Sequence, residues 1–365
     1  MASADVVVVG GGIAGLSVLS ALSRVDPGLR GCLLERESVL GAHASGRNAA
    51  IHRPLESDDT TARLVARSRE LMGELQPDGF LTPCGLVLVA ASADALRPLA
   101  EHAGRQDVGI EWLDAHALSQ LAPQLGGGDA AHGLRVEGGG VLDIHGMLAG
   151  LRASARGAGH EIRTGQDVQR LLTDGDRVAG VELSTGERID ARHVVICAGA
   201  WGRQLGAACG CELPLSPVRR HLVQLRPPAD VAQVGAPVVW RIDTEVYLRR
   251  EGGGLLASPC DATPWPAEDP PSDRGVLELL AEKLGALCPG FDRSAVQSYW
   301  ACLRTFAPDR ELVAGPDPRL TGLHWLGGLG GRGMSVGPAA GELVARGIDG
   351  QFPPDFNALH PARLL

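Results

Sequence analysis

The chain has 365 residues, of which 44% are hydrophobic, and its 43 acidic side chains outnumber 34 lysines and arginines to give a net charge of −9. This length predicts about two globular domains around a large core. The acidic balance and the lack of a basic stripe argue against binding to nucleic acid.

The sequence predicts a cytoplasmic protein without a membrane span. The first predicted strand begins at residue 5, which leaves no room for a secretory signal, and no apolar run approaches the roughly 20 residues of a spanning helix. The eight cysteines include no CxxC pair, so we expect reduced, mostly buried thiols and no metal site.

The first predicted elements form a strand–turn–helix–strand unit. Four valines lie in the predicted strand 5–9, the glycine-rich turn 10–15 leads into the predicted helix 14–24, and the predicted strand 31–35 ends on Glu35. This spacing is typical of a Rossmann-like site for an ADP-containing dinucleotide.

The glycines and the glutamate of this unit each have a physical role in such a site. Gly10 allows the tight turn, Gly12 lets the backbone approach a pyrophosphate, and Gly15 lets the helix pack on the strand. The free amides and the positive dipole end of the helix N-terminus suit the phosphates. Glu35 can accept a hydrogen bond from a ribose hydroxyl.

The remaining predicted elements follow along the chain. Helical spacing and capping residues predict helices at 58–75, 93–103, 144–156, 274–287 and 336–346. Alternating or β-branched runs predict strands at 85–90, 161–163, 167–173, 178–183, 194–197, 218–225, 237–241, 245–250, 254–258 and 323–326.

We therefore predict an α/β fold with two domains. The first and last strand–helix units share one Rossmann-like sheet, which makes the cofactor domain discontinuous over residues 1–83, 141–215 and 301–365. An α+β substrate domain on a mostly antiparallel sheet covers residues 84–140 and 216–300. Ligands are expected at the carboxyl ends of the parallel strands.

Three further segments distinguish FAD from NAD. They are Ser-Gly-Arg-Asn-Ala-Ala at 45–50, the strand 194–197 that ends in Ala-Gly-Ala-Trp at 198–201, and the glycine-dense loop 327–335 that opens the last helix. Together with the opening turn, they make the sequence resemble the D-amino acid oxidase superfamily of FAD-dependent oxidoreductases, and within it glycine oxidase and D-arginine dehydrogenase. The motifs keep the family's order over nearly the whole chain.

The resemblance implies FAD as the cofactor and gives each motif a position along it. The opening unit holds the ADP half, the 45–50 and 198–201 segments flank the pyrophosphate, ribityl chain and flavin, and the last loop presents amides to the flavin edge that becomes negative on reduction. The implied cofactor-binding residues are Gly10, Gly12, Ile13, Ala14, Gly15, Glu35, Arg36, Ser45, Arg47, Asn48, Ala49, Ala50, Val168, Ala198, Gly199, Trp201, Arg304, Gly328, Gly330, Gly331, Arg332, Gly333, Met334 and Ser335.

The resemblance also implies a substrate side. An amino acid needs its carboxylate clamped so that its Cα–H faces flavin N5, and the planar fork of arginine suits this task. Arg304 and Tyr247 match the family's carboxylate-binding positions, and Arg220 helps there or at the flavin. His52 is the remaining candidate for contact with substrate or flavin.

Departures from the family concern specificity and cofactor attachment. Gly85 stands where D-arginine dehydrogenase has an acidic residue facing a cationic substrate, and Glu56 either replaces that charge or, as favoured, is a solvated loop carboxylate. Cys302 stands where the family usually has glycine, near the flavin-linking cysteine of monomeric sarcosine oxidase. A covalent flavin and a small buried side chain are both open, and the second is favoured.

The favoured hypothesis is an FAD-dependent enzyme that oxidises the CH–NH bond of a D-amino acid or of a glycine-like or N-substituted amino acid by hydride transfer to flavin N5. The imino acid product hydrolyses to a keto acid. Two alternatives remain: oxidation of a 2-hydroxy acid or of a secondary amine such as sarcosine or proline, and a flavin-binding subunit that needs a partner. The electron acceptor is O2 or a quinone-type carrier, and the oligomeric state is left open.

Overall fold

The computed structural model describes residues 2–77, 79–231 and 234–365. The helices, in chain order, are α1 (Ile13–Val25), α2 (Asp59–Leu75), α3 (Ala93–Arg105), α4 (Ala115–Leu121), α5 (Ile144–Gly157), α6 (Gly202–Ala207), α7 (Gly275–Leu287) and α8 (Gly333–Ile348). Within these ranges, no helix combines the length and the apolar character that a membrane span requires.

The strands, in chain order, are β1 (Ala2–Val9), β2 (Gly31–Glu35), β3 (Ile51–His52), β4 (Leu81–Thr82), β5 (Leu86–Ala90), β6 (Ile110–Leu113), β7 (His132–Val136), β8 (Gly140–Leu142), β9 (Glu161–Thr164), β10 (Val168–Asp174), β11 (Arg177–Leu183), β12 (Arg188–Ile196), β13 (Ser216–Arg226), β14 (Val238–Arg241), β15 (Val246–Glu251), β16 (Gly254–Ser258), β17 (Thr263–Pro264), β18 (Ala295–Phe306), β19 (Val313–Pro316) and β20 (Leu323–Gly327).

One sheet carries both the opening and the closing units of the chain. Its strands β9, β2, β1, β12 and β20 lie side by side in this order and run parallel, and β19 runs antiparallel beside β20. The hairpin of β10 and β11 pairs with the first half of β12, whose second half pairs with β20. The prediction that the first and last strand–helix units share one sheet is confirmed.

The valine run of β1 is buried because both faces of this sheet are covered. Val6 and Val8 pack in one cluster with α1, α5 and α8, whereas Val7 and Val9 lie in another with residues of β10, β11 and β12. A strand buried on both faces has no polar alternation, which explains four valines in a row.

A second sheet of nine strands has the order β17-β13-β16-β15-β14-β5-β7-β6, with β18 also paired to β13. The β14–β5 pair is parallel, and the other pairs described in this sheet are antiparallel. The predicted fold class, with a Rossmann-like sheet and a mostly antiparallel one, is therefore confirmed. The strands of the second sheet come from residues 86–136 and 216–306, and the division of the chain into domains stays a prediction.

The longest strand that the sequence pattern does not predict is β18. Its first four residues, 295–298, are exposed and show no apolar alternation. Pairing with β13 along its whole length, from Ser216 opposite Phe306 to Arg226 opposite Ala295, specifies it instead. The short strands β3, β4, β6, β7, β8, β17 and β19 are likewise absent from the prediction, because strand formation depends strongly on cross-strand neighbours.

A small sheet of β3, β8 and β4 follows the loop that lies beside the glycine turn. Gly41 N donates to Gly11 O at 3.0 Å, which joins this loop to the turn. The chain then passes from the first sheet into Ile51 and His52 of β3. The 45–50 segment therefore connects the first sheet to this small sheet.

Candidate cofactor and substrate site

A cavity of about 440 Å³ lies where the parallel strands of the first sheet end. Its wall includes Val9 and Glu35 at the ends of β1 and β2, Cys197 just after β12, and Gly327 at the end of β20. In open α/β sheets this edge is the usual place for a ligand. The cavity thus lies at the edge of the sheet that the sequence predicts for the cofactor.

Most of the predicted cofactor residues meet at this cavity. Those in its wall are Gly10, Gly12, Ile13, Ala14, Glu35, Arg36, Ser45, Asn48, Val168, Ala198, Gly199, Trp201, Arg304, Gly328, Gly330, Gly331, Gly333 and Met334. Those outside its wall are Gly15, Arg47, Ala49, Ala50, Arg332 and Ser335.

The glycine turn needs glycine for steric reasons that differ by position. Gly10 has φ +113°, and a Cβ there would lie 2.6 Å from the carbonyl oxygen of Cys197. A Cβ on Gly15 would lie 1.9 Å from the carbonyl oxygen of Gly10, so α1 could not pack against the turn. A Cβ on Gly12 would meet only the Ser45 side chain, with Oγ at 2.9 Å, and both residues line the cavity.

Glu35 is held in place by two backbone amides. Its Oε2 accepts from Gly11 N at 2.6 Å, and its Oε1 accepts from Glu37 N at 2.8 Å. Because a carboxylate oxygen can accept more than one hydrogen bond, the fixed Glu35 side chain can still accept from a hydroxyl of a bound ligand.

Beside Glu35, three side chains stack in the cavity wall. The Arg36 guanidinium carbon lies 4.5 Å from the centre of the Trp201 ring, and the His43 ring centre lies 4.7 Å from it. Glu37 accepts from His43 Nε2 and from Arg36 Nη2, both at 3.0 Å, and these contacts, chiefly that of His43, lower the pKa of Glu37. The sequence assigned Arg36 and Trp201 to the cofactor but gave no signal for Glu37.

The 45–50 segment is folded by its own polar side chains. Ser45 Oγ accepts from Ile13 N at 2.9 Å, at the start of α1. Asn48 donates to Ser45 O and accepts from Ala50 N, both at 2.8 Å. These bonds fix Ser45 and Asn48 against the N-terminus of α1.

Arg47 reaches outward to a loop that sequence reasoning did not assign to the site. Its Nη1 donates to Asp269 Oδ1 at 2.7 Å. Asp269 and Pro270 belong to the proline-rich segment 259–271 and line the cavity. The two residues Arg47 and Asp269 are 222 positions apart, so only the folded chain reveals their pairing.

The glycine loop after β20 forms the wall nearest to Arg304. Gly328, Gly330 and Gly331 have φ values of +65°, +57° and +98°, which residues with a side chain rarely adopt. α8 begins directly afterwards, at Gly333, so its first amides open toward the cavity. The Arg332 side chain points elsewhere, because its guanidinium donates to Arg310 O at 2.9 Å and to Thr61 Oγ1 at 3.3 Å.

Arg304 is a buried cation in the cavity wall, with 6% of its surface exposed. Its guanidinium donates to Cys302 Sγ at 2.6 Å and to the carbonyl oxygens of Leu303 and Arg47 at 3.2 and 3.3 Å. Within the described ranges, no carboxylate forms an ion pair with it. Since a buried charge without a counter-ion is costly, an anionic ligand would complete this site.

Arg220 and Tyr247 lie close to Arg304 but outside the cavity wall. Arg220 is opposite Cys302 in the β13–β18 pairing, and its guanidinium donates to the carbonyl oxygens of Asp261 and Cys260 at 3.0 and 3.2 Å. Burial raises the pKa of Tyr247 to about 12, although the charges of Arg304 and Arg220 act in the opposite direction. Tyr247 therefore keeps its proton and can donate a hydrogen bond.

His52 is buried beneath the start of α8. Its Nδ1 lies 3.3 Å from Ser335 Oγ, and burial, followed by the charge of Arg69, lowers its pKa to about 4. The imidazole is therefore neutral at physiological pH. His52 lies outside the cavity wall, so its link to the site runs through Ser335.

We expect the His52→Gln variant to lose less stability on acidification than the parent protein. The pKa of His52 is about 4 in the folded protein, below the ordinary value of 6.5. Between these two pH values, the unfolded chain therefore binds more protons at this residue than the folded protein does. The contribution of neutral His52 to the free energy of unfolding is complete above pH 6.5 and is lost as the pH falls toward 4. The loss amounts to about 2–3 kcal/mol at pH 4.5. Urea unfolding at pH 7 and 4.5 measures the difference, and identical losses in both proteins would contradict the account.

The sequence expectation that Glu56 is a solvated loop carboxylate is wrong. Only 1% of Glu56 is exposed, and its two carboxylate oxygens accept from Arg53 Nη2 and Nε at 2.7 and 3.3 Å. Gly85, the other position considered for a substrate counter-charge, lies just before β5 and has φ +89°. Backbone geometry therefore favours glycine there, and an acidic side chain would be strained.

The family model DAO, described as FAD dependent oxidoreductase, matches residues 5–346. The chain therefore belongs to this family of FAD-dependent oxidoreductases, and the resemblance predicted from the four ordered motifs is confirmed.

Individual relatives are distant. The chain is 27% identical to 4-methylaminobutanoate oxidase (formaldehyde-forming) of Paenarthrobacter nicotinovorans, over 94% of this chain and 43% of that protein. It is 26% identical to the mitochondrial pyruvate dehydrogenase phosphatase regulatory subunit of Mus musculus, over 96% of this chain and 42% of that protein. The chain thus spans less than half the length of these two relatives.

Glycine oxidase of Geobacillus kaustophilus is similar over most of both chains. The identity is 26% over 93% of this chain and 92% of that protein. A solved structure of glycine oxidase from this organism superimposes with a TM-score of 0.83 at 22% identity, over 97% of this chain and 96% of that chain. The predicted similarity to glycine oxidase is therefore confirmed, and the structural match supports the fold.

Proposed function

We propose that this protein is an FAD-dependent enzyme that oxidises the CH–NH bond of an amino acid or of an N-substituted amino acid. The observation that carries the proposal is Arg304, a buried guanidinium in the cavity wall without a carboxylate partner among the described residues. An amino acid carboxylate supplies the missing charge and matches the planar fork of arginine. Membership in the family supports FAD as the cofactor.

The residues present fit an FAD molecule that extends along the cavity. The turn over Gly10–Gly15 and the N-terminus of α1 would hold the pyrophosphate, and Glu35 would accept from the ribose. Arg36, which lies over the Trp201 ring, would lie beside the adenosine. The glycine loop and the first amides of α8 would face the flavin, since Gly328, Gly330, Gly331 and Gly333 all line the cavity.

Bound FAD supplies the two-electron acceptor of the reaction. Arg304 would bind the substrate carboxylate, with Arg220 supporting the same charge, and the Tyr247 hydroxyl would donate a hydrogen bond to it. This clamp orients the Cα–H bond, and orientation accounts for much of the rate gain in such a step. The substrate loses a hydride from Cα and a proton from nitrogen, and the resulting imino acid reacts with water to a keto acid and ammonia or an amine.

His52 would act as a positioning residue rather than as a base. A neutral imidazole beside Ser335 Oγ holds the first turn of α8, whose amides open toward the cavity. The chemistry asks mainly for an unprotonated substrate amine, so no strong protein base is required.

A secondary amine is the second candidate for the substrate. One relative, which matches 94% of this chain, is named 4-methylaminobutanoate oxidase, and the substrate in that name has a methylamino group. The third hypothesis, a flavin-binding subunit that needs a partner, has its own support, since one relative is named a regulatory subunit. We favour the catalytic hypotheses because Arg304 and Tyr247 are both present beside the cavity.

The purified full chain with bound FAD would be incubated with amino acids of both chiralities, N-methyl amino acids and 2-hydroxy acids. O2 or an artificial electron-accepting dye would serve as acceptor, and keto acid, ammonia and amine would be measured. Formation of keto acid together with ammonia or amine supports the proposal. A holoprotein that converts hydroxy acids only, or nothing until a partner is added, would contradict it.

We expect the flavin to be released when the holoprotein is precipitated with acid. Cys302 Sγ donates to Arg47 O at 3.0 Å and accepts from Arg304 Nη1 at 2.6 Å, so the thiol has protein partners at the cavity wall. A yellow precipitate from the parent protein and a colourless one from the Cys302→Ser variant would instead show a covalent bond at this residue.

A further inference from the structure

An apolar cluster with three large aromatic rings lies beside the predicted carboxylate clamp. We call it the Tyr247 cluster; its members are Ala49, Leu222, Tyr247, Leu256 and Cys260, with Ile51, Trp240 and Trp300 packed against them. The Trp240 and Tyr247 rings have their centres 5.0 Å apart. A substrate held by Arg304 would place the part beyond its Cα near these rings.

Arg53 borders this cluster with an open edge of its guanidinium. Its central carbon lies 5.1 Å from the centre of the Trp240 ring. One edge of the fork, Nε and Nη2, donates to Glu56, whereas Nη1 has no hydrogen-bond partner among the described residues. The side chain is 27% exposed, so part of it is open to solvent, and Arg53 lies outside the wall of the cavity.

The Arg53 fork is fixed in this position. Glu56, its partner, is 1% exposed, and the backbone of Glu56 is held by Gln106, which accepts from Glu56 N at 3.1 Å and donates to Glu56 O at 2.9 Å. The Trp240 ring packs against one face of the Arg53 guanidinium and limits its movement. A pre-oriented fork loses little freedom when it binds a planar anion, which favours binding.

The groups around the Tyr247 cluster therefore carry an excess of positive charge. Arg304 and Arg220 donate to carbonyl and sulfur atoms rather than to carboxylates. Glu56 is shared by Arg53 and Arg332, whose Nη1 lies 3.8 Å from Glu56 Oε2, and the Asp261 carboxylate near Arg220 is paired with His221. In addition, Trp300 Nε1 is buried without a hydrogen-bond partner in the described part of the chain. One substrate carboxylate leaves this excess only partly neutralised and the indole N–H unsatisfied.

We propose that Arg53 binds a second anionic group of the substrate, so that the enzyme acts on an amino acid with an additional carboxylate, either on its side chain or on its nitrogen. This inference rests on the proposed function and makes Arg53 a specificity-determining residue. The α-carboxylate binds Arg304, the chain of the substrate lies on the Tyr247 cluster, and the distal carboxylate meets the free edge of Arg53 over Trp240.

The first test measures binding alone. Titration calorimetry of the holoprotein would compare glutarate, with two carboxylates, against butanoate, a monocarboxylate of similar size. The second carboxylate of glutarate adds a charge-assisted hydrogen bond to Arg53 that butanoate cannot form. We therefore expect glutarate to bind about 10- to 100-fold more tightly than butanoate. Equal affinities would overturn the proposal, even if the enzyme oxidises neutral amino acids.

The second test compares variants. The Arg53→Gln change alone leaves the buried Glu56 carboxylate without the two hydrogen bonds that Arg53 donates. The double change Arg53→Gln, Glu56→Gln is therefore the main variant and removes both charges together. We expect the ratio of kcat/KM for acidic over neutral amino acids to fall about 10- to 100-fold in it. The exposed ion pair of Arg135 and Glu111 provides the matched control, since the double change Arg135→Gln, Glu111→Gln also removes one charge of each sign.

The two possible failures are distinguishable. If no amino acid is oxidised while glutarate still binds more tightly than butanoate, the proposed function fails and Arg53 keeps its role in binding. If neutral amino acids are the better substrates of the parent protein, or if the double variant loses activity equally on both classes, the role of Arg53 is overturned and the proposed function stands.

Discussion

The Arg304→Gln variant is expected to lose about 10²- to 10³-fold in kcat/KM for its amino acid substrate while keeping its flavin. Truncating one partner of a buried charge pair costs about 2–5 kcal/mol, and each 1.4 kcal/mol is about tenfold. Steady-state kinetics on the parent protein and the variant measure the loss. The flavin absorbance of the purified variant shows that the cofactor is still bound.

Stability separates a binding role of Arg304 from a structural one. The guanidinium is buried without a carboxylate partner in the described residues, so removing its charge relieves a desolvation cost. We expect the substrate-free variant to melt at the same temperature as the parent or higher. The Arg304→Lys variant keeps the charge but lacks the planar fork, and it should also be impaired. Activity within a few-fold of the parent in either variant, or a large drop in Tm, would contradict the assignment.

The Gly15→Ala variant is expected to lose its flavin and much of its stability. The new Cβ would lie 1.9 Å from the carbonyl oxygen of Gly10, so α1 must move away from the turn and carry its free amides with it. Overpacking of this kind costs about 1–3 kcal/mol, and displaced amides no longer meet the phosphates. Thermal unfolding and the ratio of flavin to protein after purification measure the two effects.

Two other glycines provide graded controls for this change. Gly73 in α2 has no atom within 4 Å of a built Cβ, so Gly73→Ala should keep the flavin and stabilise the protein by about 0.5–1 kcal/mol. In Gly12→Ala the new Cβ meets only the Ser45 side chain, whose Oγ can rotate away at the cost of the hydrogen bond that it accepts from Ile13 N. We therefore expect this variant to keep the fold of the apoprotein and to bind the flavin more weakly. A Gly15→Ala protein with full flavin and an unchanged Tm would contradict the packing account.

The parts of the site that lie close together in sequence were predictable. The valine run, the glycine turn and Glu35 occupy one contiguous unit, and their order reflects one local geometry. Arg304 and the glycine loop belong to short segments of this sequence that carry the resemblance to the family. Local pattern and motif thus placed most of the predicted cofactor residues in the cavity wall.

The pairings between distant segments were not predictable. Arg47 binds Asp269 across 222 positions, and Gln106 holds Glu56 across 50. In neither pair does the sequence around one residue indicate the position of its partner. Glu56 illustrates the consequence, because a glutamate in a loop usually faces water, and only the folded chain shows it buried against Arg53. Similarly, β18 depends on β13 rather than on its own pattern.

Anaerobic flavin bleaching tests the central claim most directly. The purified holoprotein, with oxygen removed, would be mixed with D- and L-amino acids, N-methyl amino acids, acidic amino acids and 2-hydroxy acids while the flavin band near about 450 nm is recorded. We predict that at least one amino acid bleaches the band in the parent protein, far more slowly in Arg304→Gln, and that hydroxy acids do not. A band that no amino acid bleaches, or that hydroxy acids alone bleach, would contradict the account.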